Sequence, residues 1–153
     1  MLLTAMQMKR YERNLKIKPI GKAGQQRLLS SRVLVIGAGG LGSPAIWYLA
    51  AAGVGTLGII DSDVVDLSNL QRQIIHGMPD IGRSKTESAS EKVERLNPEV
   101  KVVTGPQRLN AGNISATQPA CGASSRWSPG RGPACPTRRT AGTRQASRTC
   151  SRQ

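Results

Sequence analysis

The fold is decided by residues 32–73, which read RVLVIGAGGLGSPAIWYLAAAGVGTLGIIDSDVVDLSNLQRQ. This stretch opens with an apolar, β-branched run at residues 33–36, which is typical of a buried parallel strand. After a glycine-rich turn, apolar residues recur at helical spacing until Gly53, a natural helix end. A second apolar run at residues 57–60 ends at Asp61. The order predicts a strand, a turn, a helix and a second parallel strand.

The turn carries the pattern G-x-G-x-x-G on Gly37, Gly39 and Gly42. Glycines at these positions let the backbone turn sharply and approach a phosphate. The helix, which we expect to start near Leu41, would direct unpaired N–H groups at the same anion. Asp61 follows the second strand, where such folds bind a ribose hydroxyl. Because NAD, FAD and ATP all suit this pattern, it predicts a nucleotide site without specifying a reaction.

Two polar motifs follow the second strand, SNLQRQ at residues 68–73 and GRSK at residues 82–85. With them the chain resembles the ThiF/MoeB/HesA family of adenylyltransferases, which are related to ubiquitin-activating enzymes. The resemblance covers roughly residues 10–116, and its motifs occur in the family's order: RYERN, GAGGLG, AGVGTL, DSD, LSNLQRQ and GRSKTESA.

The resemblance implies an α/β fold, a Rossmann-like parallel sheet with flanking helices, of which this chain would hold the amino-terminal half only. We expect an amino-terminal helical segment at residues 1–31 and a partial ATP-binding domain at residues 32–116. A basic tail at residues 117–153 would follow.

The family's reaction joins the terminal carboxylate of a ubiquitin-like sulfur-carrier protein, ending in Gly-Gly, to the α-phosphate of ATP. Such carriers serve thiamine or molybdenum-cofactor synthesis. A carboxylate approaching a polyphosphate needs positioning and positive charge, and Arg72 and Lys85 are the expected catalytic cations. By resemblance, Asp61 binds the ribose, while Asn69, Arg72 and Lys85 contact the phosphates. The full set of expected nucleotide-binding residues is Gly37, Gly39, Gly40, Gly42, Asp61, Asn69, Arg72, Gln73 and Lys85.

A third catalytic residue is expected from the motif Arg10-Tyr11-Glu12-Arg13. In the family, an arginine of this R-Y-x-R element reaches the ATP site of the neighbouring subunit. The resemblance therefore implies that Arg13 acts across a homodimer. Asn14 departs from the family's usual glutamine, and both residues are amides.

Other polar and aromatic residues receive simpler interpretations. Ser84 and Glu87 form the pattern S-x-x-E, which predicts a capping box at the start of a helix carrying Lys85 in its first turn. We expect Asp63 to be a solvated loop acid and Tyr48 to pack on the first helix. His76 is the single histidine, and the sequence offers it no metal-binding partners.

Charge and composition change near residue 116. The tail contributes +7 of the formal net charge of +13, and it contains no Ile, Leu, Val or Met. We expect it to be disordered, because it has little apolar surface to bury. Its cysteines, Cys121, Cys135 and Cys150, match neither a zinc site nor a small disulfide scaffold, so no metal ligand is assigned.

The family would continue with a strand that ends in a magnesium-binding aspartate, and no such strand follows residue 116. The resemblance thus implies ATP and Mg²⁺ as cofactors, with the protein ligand for Mg²⁺ missing. We expect a frameshift or misread frame, with a genuine divergent tail as the alternative. No apolar run is long enough to span a membrane, and we expect a cytoplasmic location.

Two other functions remain open at this point. The glycine turn and Asp61 also suit an NAD-dependent oxidoreductase, although LSNLQRQ and Lys85 argue against it. The seven tail arginines also allow nucleic-acid binding, but no recognition module accompanies them.

Overall fold

A computed structural model describes residues 2–109. The expectations for the tail, its cysteines and the end of the domain near residue 116 lie outside these residues. The elements in chain order are α1 (Ala5–Arg10), α2 (Glu12–Leu15), α3 (Gly21–Ser30), β1 (Arg32–Ile36), α4 (Gly42–Ala52), β2 (Thr56–Ile60), α5 (Lys85–Leu96) and β3 (Lys101–Gly105). Two 3₁₀ turns, Leu67–Asn69 and Met78–Asp80, lie between β2 and α5.

The three strands form one parallel sheet in the order β1-β2-β3. Arg32 pairs with Thr56, and Thr56 pairs with Lys101, so the strands start and end together. Each crossover contains a helix, α4 and then α5, and these two helices contact each other and the sheet. The predicted α/β fold with a parallel sheet and flanking helices is confirmed for the described residues.

The core lies between the sheet and the pair α4 and α5. Its members are buried apolar side chains from β2 and from the inner surfaces of the two helices: Leu57, Ile59, Ile46, Ala50, Ala89 and Val93. Val33 and Val35 of β1 pack against this cluster from the same face of the sheet. The packing of this core sets the positions of the strand ends. It therefore also positions the loops that follow the strands.

The prediction that β1 is a buried strand is wrong for one of its two faces. Leu34 is 37% exposed and Ile36 is 65% exposed. Side chains alternate between the faces of a strand, and these two lie on the face opposite Val33 and Val35. Among residues 2–109, no helix covers that face of β1, which is also an edge strand.

Two smaller expectations also differ from the structure. Tyr48 is 76% exposed on α4, so it does not pack into the core. The capping box at α5 does not form, because the Ser84 side chain makes no cap hydrogen bond. Its hydroxyl lies 2.9 Å from the Thr86 hydroxyl instead.

The amino-terminal helices pack where the strands begin. Tyr11, 2% exposed, lies against Gly53 at the end of α4. Its hydroxyl accepts a 3.0 Å hydrogen bond from Nδ2 of Asn97, just after α5. Arg10 Nη1 donates to the Leu96 carbonyl oxygen over 3.1 Å. These contacts attach the R-Y-x-R motif to the carboxyl ends of both helices. Within residues 2–109, no helix is both long and apolar enough to cross a bilayer.

Candidate functional site

A cleft of about 680 Å³ opens at the carboxyl ends of β1 and β2. Ligands of open α/β sheets bind at this edge. Seven of the nine expected nucleotide-binding residues line the cleft, and Gly40 and Gly42 do not. The lining consists of Gly37, Gly39, Asp61, Ser62, Asp63, Val64, Asn69, Arg72, Gln73 and Lys85.

The glycine turn brings backbone to one side of the cleft. Gly37 has a φ of +88°, a conformation that residues with a side chain rarely adopt. A side chain at Gly42 would overlap the carbonyl oxygen of Gly37, so this glycine lets α4 begin directly against the turn. No side chain caps the start of α4. The Ser43 N–H already donates to the Gly39 carbonyl over 2.8 Å and Pro44 has no N–H, so within the first turn of α4 the Gly42 N–H is the group left for an anion.

Gly40 has a different neighbour, the side chain of Arg72. A Cβ at position 40 would lie 3.5 Å from Arg72 Cγ, which is ordinary van der Waals contact. The aliphatic part of Arg72 therefore crosses over the turn. Gly40 contributes to the shape of the site without lining the cleft.

Asp61 links the turn to the loop after β2. Its Oδ2 accepts a 2.7 Å hydrogen bond from the Ala38 N–H, and its Oδ1 accepts a 2.9 Å bond from the Asp63 N–H. Each carboxylate oxygen can accept a second hydrogen bond. Asp61 thus holds the loop structure and keeps acceptor capacity for a hydroxyl group.

The segment 67–73 supplies the polar side of the cleft. Arg72 is exposed, and its Nη1 donates to the Ser68 carbonyl oxygen over 3.1 Å. A guanidinium has five N–H donors, so this bond leaves most of them for a ligand. Asn69 lies one helical turn before Gln73, whose backbone N–H donates to the Asn69 carbonyl over 3.0 Å.

Gln73 carries an unsatisfied polar atom in the cleft wall. The residue is 4% exposed, and its Oε1 has no hydrogen-bond partner. A buried polar atom without a partner costs free energy. A ligand that donates a hydrogen bond would satisfy it, so the residue fits a site for a polar ligand.

Lys85 reaches the cleft from the first position of α5. A short antiparallel bridge between Val64 and Ser84 brings this helix start beside the loop after β2. Lys85 is 5% exposed, and its Nζ lies 2.9 Å from Oδ2 of Asp63. The hydrogen bond and charge of Lys85 hold the pKa of Asp63 below its ordinary value. The Asp63 side chain remains 66% exposed, so it is solvated as expected but also ion-paired.

Arg13 lies away from the cleft. It is an exposed residue of α2, a helix that packs on α3. Neighbouring Tyr11 contacts the carboxyl end of α4, whereas the cleft lies at the amino end of that helix. An 11-residue helix is about 16 Å long. The structure therefore does not bring Arg13 together with Arg72 and Lys85 of the same chain.

Sequence reasoning missed four residues of this region. Ser62, Asp63 and Val64 line the cleft. Buried His76 lies directly behind the turn, with Nε2 3.1 Å from the Ala38 carbonyl oxygen. The DSD motif was a signal for Asp63, but its partner Lys85 is 22 positions away. His76 gave no signal, because both of its partners come from distant segments.

Metal binding has no support in the part of the chain that the structure describes. No group of three or more His, Cys, Asp or Glu side chains among residues 2–109 could hold a metal ion. No step proposed below depends on Mg²⁺.

The chain is similar to known proteins over most of its length. The model of the ThiF family matches residues 11–121. The probable adenylyltransferase/sulfurtransferase MoeZ of Mycobacterium tuberculosis is 55% identical over 111 residues, covering 72% of this chain and 28% of MoeZ. The SAMP-activating enzyme E1 of Haloferax volcanii is 53% identical over 112 residues, covering 73% of this chain and 42% of that enzyme.

The fold is also similar to that of solved structures. Escherichia coli tRNA N6-threonylcarbamoyladenosine dehydratase, TcdA, in complex with ATP, superposes with a TM-score of 0.71 and 27% identity. That match covers 76% of this chain and 47% of TcdA. The chain spans less than half the length of each of these three relatives. Because the family model matches 111 consecutive residues of the 153, this chain belongs to the ThiF family.

Proposed function

We propose that this chain carries the ATP-binding part of an adenylyltransferase that activates the terminal carboxylate of a ubiquitin-like sulfur-carrier protein. One observation carries the proposal: Arg72 and Lys85 converge with the glycine turn on one cleft. Two cations beside a phosphate-binding turn suit a reaction at a polyphosphate, whereas hydride transfer has less need of them. The names of MoeZ and the SAMP-activating enzyme support the substrate class.

Each group in the cleft has a role in this proposal. The N–H groups of the turn and of α4 bind phosphate oxygens, Asp61 accepts a ribose hydroxyl, and Asn69 and Gln73 orient the nucleotide. Arg72 exchanges its bond to the Ser68 carbonyl for a phosphate oxygen. Lys85 likewise exchanges Asp63 for a phosphate. These exchanges convert existing polar contacts into ligand contacts.

The reaction requires ATP to supply an electrophilic α-phosphorus. A carboxylate oxygen of the carrier forms the new bond to that phosphorus, the bond to the bridging oxygen breaks, and pyrophosphate leaves with the electron pair. Arg72 and Lys85 neutralise negative charge as the carboxylate approaches. We place a Gly-Gly carrier terminus in this role, because a backbone without side chains can approach a phosphate closely.

The proposal includes a cytoplasmic homodimer in which Arg13 acts on the partner's cleft. Its support is the distance of Arg13 from the cleft of its own chain. In a mixture of Arg13→Ala and Lys85→Ala chains, one cleft of each mixed dimer regains both groups. We expect partial recovery of carrier-dependent pyrophosphate release in a full-length version of the enzyme. Complete absence of recovery, with mixed dimers present, would contradict action across the interface.

The first experiment is titration calorimetry of the 153-residue protein with ATP and, separately, with NAD. We expect heat of binding with ATP and a much weaker signal with NAD. A preference for NAD would replace the proposal with a nicotinamide-dependent oxidoreductase. A second titration with a single-stranded oligonucleotide tests the tail, and we expect ATP binding to persist after deletion of residues 117–153.

A further inference from the structure

His76 occupies the point where three segments of the cleft wall meet. It is 6% exposed, and both ring nitrogens have partners within hydrogen-bond distance. Nε2 lies 3.1 Å from the carbonyl oxygen of Ala38, inside the glycine turn. Nδ1 lies 2.8 Å from Oγ of Ser88, on α5. The imidazole therefore joins the turn to the helix that carries Lys85.

The partners determine where the ring carries its hydrogen. A carbonyl oxygen can only accept, so Nε2 must donate to Ala38. In the neutral ring Nδ1 then accepts from the Ser88 hydroxyl. Burial lowers the pKa of His76, which favours this neutral form. The nearby charges act in both directions, because Asp80 and Asp61 raise the pKa and Lys85 lowers it.

The two peptide groups that meet at Ala38 are both held by hydrogen bonds. The Ala38 N–H donates to Asp61 over 2.7 Å, while its carbonyl accepts from Ser43 Oγ over 3.1 Å and from His76. Ala38 itself is fully buried between Gly37 and Gly39, which both line the cleft. The Ala38 carbonyl shares a rigid peptide group with the Gly39 N–H, so rotation of that group would change where the Gly39 N–H points, and the bonds from His76 and Ser43 fix it.

His76 and its partner Ser88 are each close in sequence to a cleft residue. His76 follows Gln73 by one turn, and its N–H donates to the Gln73 carbonyl over 3.0 Å. Ser88 follows Lys85 by one turn of α5, so these residues are neighbours on the helix surface. The three segments that line the cleft come from separate parts of the chain. His76 thus fixes their relative positions.

We propose that His76 is a positioning residue for nucleotide phosphates, and that it acts through its hydrogen bond to the Ala38 carbonyl. This inference rests on the proposed ATP site. The contacts distinguish it from simple packing, because an apolar residue of similar size would fill the same space without orienting the Ala38 peptide. The two ring nitrogens can therefore be tested separately.

Two substitutions separate the bonds. In His76→Gln, the amide replaces Nε2 and can still donate to Ala38. In His76→Asn, the shorter amide replaces Nδ1 and can still accept from Ser88, but it loses the Ala38 bond. Ser88→Ala removes the support from α5, and Ser90→Ala on the same helix is the matched control. Circular dichroism reports whether each variant is folded.

The first measurement is amide hydrogen exchange of residues 37–42 without ligand. We expect exchange in His76→Asn to be roughly tenfold faster, the factor expected for loss of one hydrogen bond. His76→Gln and Ser90→Ala should remain close to wild type, and Ser88→Ala should be intermediate. If His76→Asn does not fold, the contrast between Ser88→Ala and Ser90→Ala carries the test.

The second measurement compares ATP with adenosine by calorimetry. His76→Asn should weaken ATP binding roughly tenfold and change adenosine binding less than about twofold, because adenosine has no phosphate. Equal losses for both ligands, or unchanged exchange in residues 37–42, would overturn the inference. If the wild-type protein binds no ATP, the proposed function fails, and the exchange result alone decides the role of His76.

Discussion

The two ends of the sheet use polar residues in opposite ways. At the carboxyl ends of the strands, the two cations of the proposed site, Arg72 and Lys85, bond to Ser68 and Asp63, which a bound phosphate would replace. At the amino ends they have permanent protein partners. Asn97 donates to Tyr11 and to the Ala50 carbonyl, and both bonds are buried.

The difference suggests a division of roles within a small domain. Gln25, fully buried, repeats the arrangement at the amino end, because it bonds to Asn14 and to the Ala52 carbonyl. Satisfied buried polar groups specify one packing arrangement, and replaceable partners permit binding. We therefore expect substitutions at the amino end to change the free energy of unfolding and those at the carboxyl end to change ligand affinity.

The largest expected effect is that of Tyr11→Ala. It removes a buried aromatic ring and leaves a cavity beside Gly53, so the free energy of unfolding should fall by about 3–5 kcal/mol. Denaturant unfolding followed by circular dichroism measures it. Tyr48→Ala, at an exposed position of α4, is the control and should change stability by less than about 0.5 kcal/mol. Equal effects for the two tyrosines would contradict the division of roles.

Asp80 is a buried carboxylate whose charge we expect to stabilise the fold. Its side chain is buried and accepts from Lys92 over 2.9 Å and from Arg83 over 3.3 Å. Burial alone would raise the pKa of Asp80, but the bonds from Lys92 and the Gly77 N–H hold it below the ordinary value. Its stabilisation is therefore present above the ordinary pKa and is lost as pH falls through the lowered one.

The variant Asp80→Asn should lower the free energy of unfolding at pH 7 by about 3 kcal/mol, because it leaves two cations without their buried partner. Unfolding titrations between pH 7 and acid should also show a smaller loss on acidification than in wild type. Wild-type stability at pH 7 in this variant would show that the charge of Asp80 has no structural role.

Lys85→Ala should change binding more than stability. Loss of one charged hydrogen bond to phosphate corresponds to about 1.5–3 kcal/mol, or roughly a 10- to 100-fold weaker ATP affinity. Lys101→Ala, an exposed lysine at the start of β3, removes the same charge at the opposite end of the sheet. Calorimetry with ATP should distinguish the two. A similar loss in both would indicate an effect of net charge only.

The pH dependence of stability should contain a contribution from His76. Its folded pKa lies below the ordinary value of 6.5, so the unfolded chain binds the proton first as pH falls. Stability is then complete above about pH 6.5 and declines toward the folded pKa, by at most about 1.4 kcal/mol per pH unit. His76 is the single histidine, so His76→Gln should remove this decline from unfolding curves. Persistence of the decline would assign it to other groups.

The smallest expected effect is that of Asp63→Asn. Because Asp63 competes with phosphate for Lys85, its neutralisation should strengthen ATP binding by about two- to fivefold, the range of an exposed ion pair. Glu99→Gln, at the amino end of β3, makes the same charge change far from the cleft and should leave the affinity unchanged. Weaker ATP binding in Asp63→Asn would mean that Asp63 supports the ligand.

Local motifs predicted the parts of the molecule that depend on near neighbours in the sequence. The apolar run before Gly37, the glycine turn and Asp61 all belong to one strand-turn-helix-strand unit. Apolar periodicity and the glycine spacing predict this unit directly. The family resemblance supplied Asn69, Arg72, Gln73 and Lys85, and all four line the cleft.

Features that depend on distant segments could not be predicted in this way. The exposure of Leu34 and Ile36 depends on which segments cover one face of the sheet. A local sequence pattern does not contain that information. The pair of Lys85 and Asp63 requires the bridge between Val64 and Ser84. The role of His76 requires the turn and α5 to be in place together. These contacts join residues that are far apart in the sequence. Secondary-structure propensity and local motif spacing therefore cannot predict them.

The attachment of the R-Y-x-R motif has a consequence for the order of folding. Tyr11 and Arg10 are made early in synthesis, but each bonds to a residue 86 positions later in the chain. Strands β1 and β2 can pair as soon as residue 60 has emerged from the ribosome. Docking of the first helices must wait for residue 97, which makes it a late step in folding during translation. A nascent chain arrested before Asn97 should therefore expose Tyr11 to a soluble fluorescence quencher, and release of the arrest should protect it.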